Sequence, residues 1–174
     1  IVQPQEMKAL GFCVSVQHAE FMARRFNVAG IPSVVVHGAT PQLERERVRR
    51  DLRLGDVAAV FSVDVFNEGV DIPEVDTILM LRPTESATIF LQQLGRGLRR
   101  TEHKPVLTVL DFVGHQRDEF RWDQRLRAMT GRRRSQLVDD VADGFTYLPS
   151  GCRIVFDEAT QGTVVGNLRR QLSA

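Results

Sequence analysis

Ser33-Val34-Val35-Val36-His37-Gly38-Ala39-Thr40-Pro41, running on through Gln42 to Leu54 and halting at Gly55, decides the fold class of this chain. A short apolar run rich in β-branched residues predicts a buried strand. Thr40 followed by Pro41 predicts a helix start, with Thr40 as N-cap and Pro41 in the first turn. Gly55 predicts the stop. Strand, loop and helix of this length form half of a βαβ unit.

The same alternation continues in both directions. Residues 11–16 predict a strand, and 17–26 a helix with Phe21, Met22 and Phe26 on one side. Residues 57–63 and 77–81 predict strands, 86–98 a helix and 106–112 a further strand. Strands separated by helices imply an α/β fold with a doubly wound, mostly parallel sheet. In such sheets ligands lie outside the carboxyl ends of the strands. The loops expected there are His37-Gly38, residues 62–73 and residues 111–114.

The pattern changes after about His115. Phe120, Trp122, Leu126 and Met129 predict an amphipathic helix ending near Gly131, and a second helix is expected over 135–142. A turn is expected at Leu148-Pro149-Ser150-Gly151, a short strand over 153–156 and a weaker helix over 158–172. The expected organisation is a sheet domain over 1–115 and a mainly helical C-terminal appendage over 116–174.

The 174 residues, 43% hydrophobic and 26% charged, fit a globular domain with a real core. A net charge of +1 argues neither for nor against nucleic acid, so distribution matters more. Arg45, Arg47, Arg49, Arg50 and Arg53 cluster in one segment, interleaved with Glu44, Glu46 and Asp51. A solvated helix face and a nucleic-acid contact explain that cluster equally well. Arg132-Arg133-Arg134 is another basic run. Cys13 and Cys152 show no metal or disulfide spacing, and no metal site is expected. No apolar stretch reaches membrane-spanning length, so a cytoplasmic location without a membrane partner is expected. The chain begins at Ile1 and reads as part of something longer.

Gln92-Gln93-Leu94-Gly95-Arg96-Gly97-Leu98-Arg99-Arg100 closes the helix expected over 86–98. Arg96 and Arg99 are three apart and share a helix face, while the glycines let another surface approach closely. Planar guanidiniums so presented suit a phosphoryl group in transfer. The chain has no Gly-x-x-x-x-Gly-Lys-Ser/Thr loop to cradle a nucleotide itself. In Ser62-Val63-Asp64-Val65-Phe66-Asn67-Glu68-Gly69-Val70-Asp71-Ile72-Pro73, a strand end runs into a loop rich in acids. Gly69 would allow close ligand approach, and Asp71 suits a ribose hydroxyl pair.

Together these blocks resemble the second RecA-like motor domain of a superfamily-two helicase of the DEAD/DEAH-box and restriction-motor type. Gly11-Phe12-Cys13-Val14-Ser15-Val16-Gln17-His18-Ala19 resembles motif IV, and Val36-His37-Gly38 with Glu44-Arg45 the next block. Residues 62–73 resemble motif V, and Gln92 to Arg99 fits the Gln-x-x-Gly-Arg-x-x-Arg of motif VI. The tail is similar to that of a bacterial subfamily with a further C-terminal region. The resemblance implies that Arg96 and Arg99 are arginine fingers and that Gly69, Asp71 and Gln92 lie near ATP. It further implies that Ser15, His37, Gly38 and Ser62 meet the nucleic-acid backbone, with DNA favoured over RNA. ATP and Mg²⁺ would be held mainly by a first RecA-like domain of the same protein. The isolated chain is therefore expected to be inactive, although the full protein would be an ATP-dependent helicase or translocase. The alternative is a scaffold domain that binds nucleic acid or protein without motor activity.

Ile154-Val155-Phe156-Asp157-Glu158-Ala159-Thr160 imitates a Walker B strand, but no phosphate loop precedes it. Asp157-Glu158 is expected to mark a helix start. Trp122 is expected in the core of the appendage.

Overall fold

The computed structural model describes residues 4, 6–63, 74–83, 106–112, 120–148 and 153–173. Contacts divide the chain into a sheet unit and a helical unit, which include described residues up to Phe112 and from Phe120 respectively.

The sheet unit contains β1 (Ala9–Phe12), α1 (Val16–Val28), β2 (Ser33–Val36), α2 (Gln42–Leu54), β3 (Ala59–Ser62), β4 (Thr77–Met80) and β5 (Thr108–Asp111). All pairings are parallel, in the order β2-β3-β1-β4-β5. The α/β, doubly wound architecture is the expected one. The chain steps outward from β1 to β2 and back to β3. Right-handed crossovers in opposite directions place α1 and α2 on opposite faces of the sheet.

Burial follows from that sandwich. Every residue of β1, β3 and β4 is buried, as continuous apolar strands in a two-sided parallel sheet require. On one face Ala19 and Ala23 of α1 join Ala9, Ala59, Phe61 and Leu79 in a single cluster, with Phe26 packed against it. The Phe26 and Phe61 rings meet edge to face at 4.9 Å. Phe61 lies flat across Gly11: a Cβ there would stand 2.5 Å from Cδ1 of the ring. Glycine in mid-strand, ordinarily unfavourable, is what lets this aromatic fill the layer.

Strand β1 ends earlier than expected. After Phe12 the Cys13 amide still donates to the Ser62 carbonyl at 2.9 Å. Val14 is exposed, and Ser15 turns the chain into α1 by accepting from the His18 amide at 3.2 Å. The start of α2 also differs. Pro41, not Thr40, is the N-cap, because the Thr40 hydroxyl is engaged backward by the His37 amide at 3.0 Å. Gly55 ends α2 in the left-handed region, φ 88°, as expected.

The helical unit has α3 (Trp122–Thr130), a 3₁₀ turn (Arg134–Gln136), α4 (Leu137–Asp143) and α5 (Glu158–Ser173). Its core is Phe120, Trp122, Leu126, Leu137, Val141, Phe145, Val164 and Leu168. Burying each large side chain contributes about 1.5–3 kcal/mol before entropy is counted. Residues 153–157 are not the expected strand. Alternation there serves packing without a ladder: Ile154 and Phe156 face the core while Val155 is exposed. Asp123, buried, accepts from Arg121 Nε at 2.9 Å and Nη2 at 3.0 Å, with Arg134 Nε at 3.3 Å. These cations, the Arg121 hydrogen bonds first, hold its carboxyl below the usual range. The Arg132-Arg133-Arg134 run is thereby largely internal wiring. Arg132 forks onto Asp140 at 3.1 and 3.0 Å beneath the Tyr147 ring, and Arg134 also donates to the Gln171 carbonyl.

Candidate nucleic-acid interface

The carboxyl ends of the strands form one row. Phe12 and Val36 both stand in register with Ser62, Phe12 also with Met80, and Met80 with Asp111. Equal ends bring the first residues beyond β1, β2 and β3 to the same edge of the sheet. Ser15, His37, Gly38 and Ser62 therefore belong to one edge, which was expected for His37, Gly38 and Ser62, while Ser15 reaches it because β1 ends at Phe12 and not beyond it.

Their chemistry differs. Ser62 is 1% exposed, and its hydroxyl has no hydrogen-bond partner among the described residues. Flanking backbone is tied down: Cys13 N donates to Ser62 O, and Val63 N to Val36 O at 3.3 Å. Ser15 is exposed; its oxygen accepts the α1 cap bond, which leaves its O–H to donate. His37 Nδ1 accepts from the Ala39 amide at 3.3 Å, which leaves Nε2 as the ring's donor. Gly38 has open space where a Cβ would stand. Nearby Cys13 is buried, which pushes its thiol up to about 11 and keeps it protonated at neutral pH.

The arginine cluster on α2 resolves into separate tasks. Arg47 pairs with Asp51 at 3.7 Å, Arg50 with Asp51 at 3.0 Å and Arg53 with Glu74 at 3.1 Å. Arg45 instead donates to three carbonyls of the turn after β2: Thr40 and Gly38 at 2.8 Å, His37 at 3.4 Å. The motif resemblance set Glu44-Arg45 beside Val36-His37-Gly38, but only the fold shows that the Arg45 side chain turns onto that loop while its neighbours pair with carboxylates.

Gly69, Asp71, Gln92, Arg96 and Arg99 lie outside the described residues. Among the described residues no group of three His, Cys, Asp or Glu side chains could hold a metal ion, and no helix is long and apolar enough to cross a membrane. The Walker B mimic is a helix start. Asp157 Oδ1 accepts from the Thr160 amide at 2.9 Å and Oδ2 from its hydroxyl at 2.5 Å. Those bonds hold the Asp157 carboxyl below its ordinary value.

Residues 2–101 match the model of the helicase conserved C-terminal domain. The chain belongs to that family, and its α/β sheet unit is the second RecA-like domain of a superfamily-two helicase. It is 33% identical over 113 residues to the IRC3 protein of Saccharomyces cerevisiae, whose name classes it with ATP-dependent helicases; the match covers 64% of this chain and 16% of that protein. It is 27% identical over 147 residues to UvrABC system protein B of Chlamydia abortus, covering 82% of this chain and 22% of the relative. The chain thus spans less than a quarter of either relative's length. In fold it is similar to the C-terminal domain of the DEAD-box protein Dbp5, with a TM-score of 0.53 and 18% identity over 71% of this chain and 66% of that one.

Proposed function

We propose that in the full-length protein this domain grips a nucleic-acid backbone at the row of strand ends and closes over ATP held on a first RecA-like domain. The observation that carries the reading is the single edge shared by Ser15, His37, Gly38 and Ser62 in a helicase C-terminal domain. The exposed Ser15 hydroxyl, an imidazole N–H and exposed backbone suit phosphate oxygens and carry no base code, so gripping is indifferent to sequence and weakens with salt. The resemblance to restriction-type motors favours DNA over RNA.

ATP with Mg²⁺ supplies the phosphoryl group whose transfer drives the motor. On this domain's side Gly69, Asp71 and Gln92 would border the nucleotide. Arg96 and Arg99 would reach across the cleft as arginine fingers, a role worth about 10³–10⁵ in rate. Steady-state ATPase of the full-length protein with saturating single-stranded DNA tests this. Arg96→Ala and Arg99→Ala should each collapse turnover at an unchanged melting temperature. Lys at either position should rescue poorly, since an ammonium lacks the planar fork. Arg100→Ala, at a position outside the Gln-x-x-Gly-Arg-x-x-Arg pattern, should cost much less. A critical Arg100 with dispensable Arg96 and Arg99 would refute the assignment.

A further inference from the structure

We propose that Arg45 is a positioning residue for the nucleic-acid interface, locking the His37–Thr40 turn in its binding shape. The inference rests on the reading of that turn as a contact with the strand. The turn closes on itself first: the Thr40 amide donates to the His37 carbonyl at 2.9 Å, and the His37 amide to the Thr40 hydroxyl at 3.0 Å. The Ala39 amide then engages the His37 ring. Across this loop Arg45, anchored in the first turn of α2, lays its guanidinium on the carbonyls of His37, Gly38 and Thr40. Only a planar fork reaches carbonyls this far apart along the chain at once. Without it, each freed residue recovers about 1 kcal/mol of backbone entropy that binding must remove again.

Arg45 differs in this from Arg47, Arg50 and Arg53, whose partners are carboxylates. Its charge is turned onto the protein's own backbone. The fork sets the orientation of His37 Nε2 and the open side of Gly38, so it acts through them and not on the phosphate.

Equilibrium binding of fluorescein-labelled oligo(dT) to the full-length protein, titrated over a range of salt, tests the proposal. Arg45→Ala should weaken binding about tenfold at every salt concentration. The slope of log K against log salt should not change, because no phosphate contact is lost. Arg45→Lys, which keeps the charge and the fold but not the fork, should fall between wild type and Arg45→Ala with the same slope. Arg47→Ala, which removes an equal charge paired to Asp51, should change binding less than about twofold. His37→Ala combined with Arg45→Ala should weaken binding less than the two effects added, since both act through one turn.

A slope reduced by about one unit in Arg45→Ala would overturn the proposal in favour of direct phosphate contact. Additive losses, or an Arg47→Ala loss as large as that of Arg45→Ala, would overturn it as well. If His37→Ala weakens binding and neither Arg45 variant does, the interface stands and the role of Arg45 falls. If wild type fails to bind, or His37→Ala and Ser62→Ala both leave binding intact, the interface itself is wrong.

Discussion

Among the glycines of the described residues, Gly11 is the one whose missing side chain is already filled by a neighbour. Its missing side chain is the space occupied by Phe61, and Phe61 is pinned in turn by Phe26. A ring buried on every side cannot retreat from a new methyl group 2.5 Å away. Gly11→Ala should therefore destabilise the domain by about 1–3 kcal/mol, the usual cost of overpacking. Chemical denaturation of the chain measures this, and an unchanged midpoint would mean that the ring is free to swing. Phe61→Leu in the Gly11→Ala background should recover part of the loss by vacating the space.

Among the elements, α3 depends on a buried carboxylate. Asp123 binds Arg121 from its own segment and Arg134 from the 3₁₀ turn, so one anion ties two parts of the helical unit together. Asp123→Asn keeps the volume but removes the charge, and should cost about 1–3 kcal/mol, moderated because both arginines reach solvent. The sign with pH follows from its lowered carboxyl. The contribution is complete above the unfolded value near pH 4 and is lost as pH falls through the folded value. Wild type should thus lose helical-unit stability in acid more steeply than Asp123→Asn, as followed by far-ultraviolet circular dichroism; parallel acid curves would exclude the role. Much at this scale was legible beforehand. The Ser33–Val36 strand and the Gly55 stop follow from local chemistry alone. Thr40 was misread as a cap because a hydroxyl can satisfy an amide on either side, and only the turn geometry selects which. Residues 153–156 were misread as a strand because alternating burial looks the same whether or not a neighbouring strand exists. Strand order, with β1 central, depends on long-range pairing that no local pattern encodes. His37 and Ser62 were legible as strand-end positions because each closes an apolar run, whereas Ser15 was read inside the first strand and the direction of Arg45 was not legible.

For the whole molecule, the sequence contains no phosphate loop and Asp157 is spent on capping a helix, which leads us to expect no ATP hydrolysis by this chain alone. The purified chain should show no turnover above background in a coupled ATPase assay. In the full-length protein Asp157→Asn should leave turnover intact, since an amide oxygen also caps a helix. Robust activity of the chain alone, abolished by Asp157→Asn, would restore the Walker B reading.

The solitary hydroxyl of Ser62 sets stability against affinity. Burying a hydroxyl without a partner is unfavourable by about 1–3 kcal/mol, and nothing among the described residues offsets it. Ser62→Ala should thus raise the melting temperature of the chain while weakening oligo(dT) binding by the full-length protein. If a bound strand is what finally engages that oxygen, thermal robustness and grip pull this one position in opposite directions.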